Sequence, residues 1–129
     1  MKLVLDTSIL IDFLRKGKTA REFFDRVEEK NPEFFIPTIV IYELFGGKSS
    51  ANPSVSIKIT NVIRFFKRVE LTEQIAIQAG KLYRNLGSQI SSEDYIIAAS
   101  AMSINAQVVT LNKKHFQKIP GVQLYDLSE

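Results

Sequence analysis

Four positions carry side chains able to do chemistry together. Asp6 directly follows the apolar run Leu3-Val4-Leu5, and Glu43 is the only charge in Ile39-Val40-Ile41-Tyr42-Glu43-Leu44-Phe45. Asp94 opens the stretch Asp94-Tyr95-Ile96-Ile97-Ala98-Ala99-Ser100-Ala101, and Asn112 closely follows Val108-Val109-Thr110. An ionised carboxylate in an apolar helix costs several kcal/mol unless it is paired or ligates a cation. Carboxylates gathered at one place repel one another until a divalent cation neutralises them. The chain has no cysteine and one histidine, His115, so thiolate and multi-histidine metal centres are excluded. A set of oxygen ligands of this kind suits Mg²⁺ or Mn²⁺.

Each acid also has a plain structural reading. Asp6 could serve as an N-cap, Glu43 could lie on a solvated stripe, and Asp94 could answer a helix dipole. Glu93 is a weaker candidate than Asp94, being about 100° around the helix. Ala98 and Ala101 share the face of Asp94, and small residues there let the helix lie close to a sheet. The chemical reading therefore depends on elements that bring the acids to one mouth.

Those elements can be read from pattern. Leu3–Leu5 is a short continuous apolar run of the kind buried on both faces of a sheet, and Thr7 and Ser8 are expected to cap the helix begun by Ile9–Leu14. Arg15-Lys16-Gly17-Lys18 reads as a basic turn, and Thr19 as the cap of a helix ending near Asn31-Pro32. A second strand is expected at Phe34–Ile36, then a helix over Ile39–Phe45 stopped by Gly46-Gly47, and a loop over Lys48–Pro53. An amphipathic helix is expected over Val55–Lys67 and a third strand over Val69–Leu71. Thr72 caps a helix ending at Gly87, with Ile75, Ala76, Ala79, Leu82 and Tyr83 inward. Ser91 and Ser92 precede a helix from Glu93 to about Ile104, and a fourth strand covers Gln107–Thr110. One helical turn at Lys113–Phe116 and a fifth strand at Val122–Tyr125 complete the chain. Strands alternating with helices imply an α/β sandwich built on a parallel sheet. An acid at the carboxyl end of a buried strand stands where such sheets bind ligands, and if the fourth strand lies beside the first, Asn112 emerges next to Asp6.

The 129 residues suit one domain, 1–129, and a hydrophobic fraction of 45% argues against wholesale disorder. The net charge of +3, from 17 basic and 14 acidic residues, permits nucleic-acid binding without demanding it. No apolar run is long enough for a membrane span, Asp6 and Asp12 interrupt any signal-peptide pattern, and a cytoplasmic location is expected.

Leu5-Asp6-Thr7-Ser8-Ile9-Leu10-Ile11-Asp12-Phe13-Leu14-Arg15, then Tyr42-Glu43-Leu44, then Asp94-Tyr95-Ile96-Ile97-Ala98-Ala99, then Thr110-Leu111-Asn112-Lys113-Lys114-His115-Phe116 together resemble the PIN domain, in particular the VapC toxins of toxin–antitoxin pairs. The pieces stand in that family's order and at about its spacing over nearly the whole chain. The resemblance implies a three-layer α/β/α sandwich whose central parallel sheet of about five strands has the order 3-2-1-4-5. It implies a metal-dependent endoribonuclease with Asp6, Glu43 and Asp94 as core acids, Asn112 at a fourth position more commonly Asp, and Mg²⁺ or Mn²⁺ as cofactor. Asn in place of that acid lowers the negative charge and puts a second tightly held ion in doubt. Thr7, Ser8 and Thr110 are candidates to orient the carboxylates, and Arg15, Lys16, Lys18, Lys113, Lys114 and His115 to follow an RNA backbone. The expected partners are an RNA substrate, a small VapB-like antitoxin covering the site and a second copy of the chain, with the helices at Ala20–Glu29 and Val55–Lys67 as candidate faces. A housekeeping PIN nuclease of RNA processing and a degenerate PIN domain that binds without cutting are the alternatives.

Overall fold

The structure is a computed structural model that describes residues 1–128; the expected domain, 1–129, extends one residue past them. Its frame is a five-stranded sheet in the order β3-β2-β1-β4-β5, formed by β1 (Lys2–Leu5), β2 (Glu33–Pro37), β3 (Lys67–Val69), β4 (Gln107–Val109) and β5 (Gln123–Leu124). All four pairings are parallel, as expected for strands separated by helices. Leu3, Val4 and Leu5 are fully buried, so the central strand is covered on both faces and reads as an unbroken apolar run.

The helices are α1 (Thr7–Leu14), α2 (Lys18–Val27), α3 (Thr38–Gly46), α4 (Pro53–Ile63), α5 (Glu73–Leu86), α6 (Ser92–Ser103) and α7 (Lys113–Gln117), with 3₁₀ turns at Glu28–Lys30 and Lys48–Ala51. The chain crosses the sheet in one direction from β1 to β3 and in the other from β3 to β5. Right-handed crossovers then put the two sets of connecting helices on opposite faces, giving three layers. The same reversal makes the gap between β1 and β4 the topological switch point.

Several boundaries differ from the sequence expectations, each for a physical reason. Thr19 does not cap α2. The helix begins at Lys18 after Gly17, and Oδ2 of Asp12 accepts the N–H of Ala20 at 2.9 Å, a cap supplied from α1. α4 starts earlier than expected, with Pro53 in its first turn and the Asn52 side chain accepting the N–H of Ser54, and it ends at Ile63. β3 is accordingly Lys67–Val69 instead of Val69–Leu71, because Phe35, Ile36 and Pro37 pair with Lys67, Arg68 and Val69. Of the residues expected inward on α5, Ile75, Ala79 and Leu82 are buried, whereas Ala76 and Tyr83 are exposed. The expected loop over Lys48–Pro53 holds a 3₁₀ turn and the first residue of α4. Thr72 caps α5 through the N–H of Ile75 and Gly87 ends it at φ 83°, both as expected. On α2, Phe23 and Val27 face the core, so that helix spends its large apolar residues covering the sheet.

Candidate acidic metal site

β1 ends at Leu5, and Asp6 is the next residue, 2% exposed. Its N–H donates to the carbonyl of Val109 at 3.0 Å, which extends the β1–β4 ladder while the side chain leaves the sheet at its carboxyl edge. Asp6 occupies the N-cap position of α1, but its carboxylate makes no capping hydrogen bond. Oδ2 instead accepts the hydroxyls of Ser8 at 2.7 Å and Thr110 at 2.6 Å. Ser8 Oγ in turn accepts the N–H of Leu111 at 3.0 Å, and Thr110 Oγ1 that of Asn112 at 2.9 Å. Each hydroxyl has one proton, and both protons go to Asp6, so the 3.3 Å approach of Ser8 to Thr110 is a contact between acceptors.

The expectation that Thr7 and Ser8 cap α1 is therefore corrected, since Thr7 is the first helical residue and both hydroxyls serve carboxylates. Thr7 Oγ1 donates to Oε1 of Glu43 at 2.7 Å. Glu43 lies on the half-buried side of α3, between exposed Tyr42 and buried Leu44, so its helix presents it at the mouth instead of sealing it in the core. α3 packs against both α1 and α6, which brings Glu43 over the strand ends.

Asp94 is 8% exposed, in the first turn of α6, whose N-cap Ser91 accepts the Asp94 N–H at 3.1 Å. Ala98 and Ala101 are buried beneath it, and α6 lies against β1 and β4 as the small-residue face requires. Oδ2 of Asp94 stands 3.2 Å from Nδ1 of His115 on α7. Asn112 is exposed at the N-cap of α7, and it joins the cluster through its backbone N–H to Thr110.

The acids share one field. Partial burial pushes the Glu43 carboxyl above its ordinary range; the hydrogen bond from Thr7 opposes this, and the charges of Asp6, Asp94 and Glu93 add to it. Burial also pushes Asp94 upward, followed by the charge of Asp6, while the hydrogen bond and charge of His115 and the hydrogen bond from Ser91 oppose it. Burial and mutual repulsion make the ionised carboxylates costly at the β1–β4 switch point, a cost that a hard cation relieves. Among the described residues, no three Asp, Glu or His side chains stand close enough to ligate one ion directly.

Of the expected basic residues, Arg15 borders a hollow with Glu43, and Lys113 and Lys114 border one with His115. Arg15 lines a hollow of about 350 Å³ together with Glu43, Leu44 and Ile59. Lys16 lines an adjoining hollow of about 490 Å³ with Phe13, Arg21 and Val62, and Leu14 and Lys58 form part of the wall of both. Lys113 and Lys114 border an open depression of about 510 Å³ with Asn112 and His115. Lys18 faces Glu22 at 3.7 Å, both side chains exposed. Sequence reading missed Lys58, whose spacing from Val55, Ile59 and Val62 on α4 was the available sign that it borders the same groove. Among the described residues no helix is long and apolar enough to cross a membrane.

The PIN domain family model matches residues 3–122. Ribonuclease VapC1 of Methanocaldococcus jannaschii is 33% identical over 131 residues, an alignment that covers 97% of this chain and 88% of the relative. The tRNA(fMet)-specific endonuclease VapC of Salmonella typhimurium is 30% identical, with 98% of each chain covered. Among solved structures, that of DNA-bound VapBC from Salmonella typhimurium superposes with a TM-score of 0.83 at 28% identity, over 98% of each chain.

Proposed function

The chain belongs to the PIN-domain family, and we propose that it is a divalent-cation-dependent endoribonuclease, the toxin of a VapC-type toxin–antitoxin pair. The observation that carries this reading is the meeting of Asp6, Glu43 and Asp94, from three separate elements, at the carboxyl edge of the sheet, with Glu43 and Asp94 held above their ordinary range by burial and, in both cases, by the charge of Asp6. The donor set is all oxygen, which fits Mg²⁺ or Mn²⁺, and because no three of these side chains can ligate one ion directly, the ion would be reached partly through waters. Asp6, Glu43 and Asp94 would hold it. When bound, such an ion supplies activation of water and compensation for charge building on the scissile phosphate.

The chain's own groups do the rest. Thr7, Ser8 and Thr110 fix carboxylate orientation by donating protons, and the N–H groups of Leu111 and Asn112 fix the hydroxyls. Arg15, Lys16, Lys113 and Lys114 would attract the phosphates of an RNA strand crossing the mouth. The paired hollows that run from Phe13 and Val62 to Glu43 have an apolar floor and basic walls at Arg15, Arg21 and Lys58. They suit a short antitoxin segment with apolar anchors and acidic flanks, one end of which reaches the acids. A homodimer belongs to the same proposal, with Ile57 and Phe65, 60% and 83% exposed, as apolar contacts.

The test is cleavage of RNA by purified protein with Mg²⁺ or Mn²⁺, with chelator, and with Asp6→Ala. Cutting should require the ion and Asp6, and expression of the wild type alone, but not of Asp6→Ala, should arrest growth. Full-rate cutting by chelated protein, or by folded Asp6→Ala, overturns the proposal.

A further inference from the structure

All three acids are tied down by one oxygen and open at the other. Asp6 is held through Oδ2 by Ser8 and Thr110, Glu43 through Oε1 by Thr7, and Asp94 through Oδ2 by His115. Among the described residues Oδ1 of Asp6, Oε2 of Glu43 and Oδ1 of Asp94 accept no hydrogen bond. The hydroxyls of Thr7, Ser8 and Thr110 account for two acids; for the third the imidazole, 3.2 Å away, is the stronger hydrogen-bond partner, ahead of Ser91.

Asp94 has a competing arrangement that makes this donor matter. Ser91 is the N-cap of α6 and Asp94 is the third helical residue, the positions of a capping box. Half of that box is present, because Ser91 Oγ accepts the Asp94 N–H at 3.1 Å. The reciprocal bond, from the Ser91 N–H to the Asp94 carboxylate, is absent, and the carboxylate points to His115 instead. The ring is well placed to hold it, since the neighbouring Phe116 is fully buried and fastens α7 to the core.

We infer that His115 is a positioning residue of the acidic site, donating Nδ1–H to Oδ2 of Asp94 so that the carboxylate cannot turn back on its own helix and keeps Oδ1 open toward the ion. The inference rests on the proposed function, in that the ion is the one proposed there. Donation to a carboxylate requires the proton on Nδ1, a specific tautomer.

The chain has a single histidine, so untagged, metal-free protein gives one pair of ring ¹⁵N signals. Recorded at alkaline pH, these should show Nδ1–H as the major tautomer; a ring protonated on Nε2 overturns the inference. The second measurement is Mn²⁺ affinity by calorimetry for the wild type, His115→Ala, His115→Asn and His115→Gln, with thermal melting to confirm folding. His115→Ala should weaken Mn²⁺ binding about tenfold, the low end for loss of a ligand-orienting group. His115→Asn, whose amide nitrogen falls near the position of Nδ1, should recover most of the loss, and His115→Gln, which reaches toward the position of Nε2, should not. If His115→Ala melts lower but binds Mn²⁺ as the wild type does, the role is structural and the inference fails alone. A folded wild type that binds no Mn²⁺ instead removes the proposed cation chemistry, and the inference with it.

Discussion

Thr7 donates its hydroxyl to Oε1 of Glu43 at 2.7 Å, joining two residues 36 positions apart in sequence. Thr7 is also the residue after Asp6, so one turn of backbone at the end of β1 delivers an acid and the group that orients a second acid from α3. The relative placement of the two carboxylates is thereby fixed by the start of α1.

Thr7→Val keeps the β-branched shape and removes the donor. Cleavage should fall about 10- to 100-fold, the range for groups that orient metal ligands, while the fold persists. Thr7→Ser should keep most activity. Rates of RNA cleavage alongside melting curves check this, and unchanged cleavage by Thr7→Val would make the bond incidental.

Burial of the acids, with repulsion added to it, gives a stability prediction with a definite sign. The folded-state pKa of Glu43 lies above its unfolded value, so its favourable contribution is fully present below the unfolded pKa and is lost as pH rises through the folded pKa. Metal-free Glu43→Gln should therefore melt higher than the wild type at pH 7, and the gap should close as pH falls to about 4, the ordinary carboxylate range. Asp94→Asn should behave in the same direction and lower cleavage by orders of magnitude. Melting both variants across pH decides it, and a gap that widened on acidification would mean that burial and repulsion of the ionised acids are not what the fold carries.

The acids themselves were legible because their backbone signals are local. A buried run ending at Leu5 and an acid ahead of Ala98 and Ala101 place Asp6 and Asp94 at element ends, and a lone charge in an apolar helix singles out Glu43. The strand neighbours were legible through the family resemblance, and the register of β1 with β4 bears it out. The destinations of the side-chain protons were not. Local rules for Thr and Ser consider partners two or three residues on, whereas Thr110 reaches Asp6 across 104 positions. The same blindness assigned the start of α2 to Thr19, when the cap comes from Asp12, eight positions before Ala20 and outside the few residues that local capping rules consider.

That cap supports a prediction independent of function. A Cβ at Gly17 would lie 2.1 Å from Oδ1 of Asp12, and the backbone there, at φ −66°, accepts any residue. Gly17→Ala should therefore act by displacing the Asp12 carboxylate from the Ala20 N–H, destabilising the fold by about 1 kcal/mol, the usual value of an N-cap. Asp12→Ala should cost about as much, and the double variant little more than either, since both remove one interaction. Denaturant titration of the three proteins checks it, and fully additive losses would separate the glycine from the cap.

Asn112 tests where the site ends. Its N–H donates to Thr110 at 2.9 Å, and Thr110 donates to Asp6 at 2.6 Å, so its backbone stands two hydrogen bonds from the central acid. Its side chain is exposed and takes no hydrogen bond among the described residues, free to turn toward the mouth or away from it. A neutral amide offers an oxygen without a charge, which limits attraction for a second divalent ion. Asn112→Asp restores that charge without changing the shape of the side chain. If the side chain faces the site, Mn²⁺ should bind about tenfold more tightly, as about 1.4 kcal/mol of added attraction gives, or a second ion should appear in the stoichiometry. Calorimetric titration of both proteins in one buffer measures each quantity. Equal affinity and equal stoichiometry would place the Asn112 side chain outside the metal's reach, leaving Asp6, Glu43 and Asp94 as the complete ligand set and the backbone N–H as the whole contribution of residue 112.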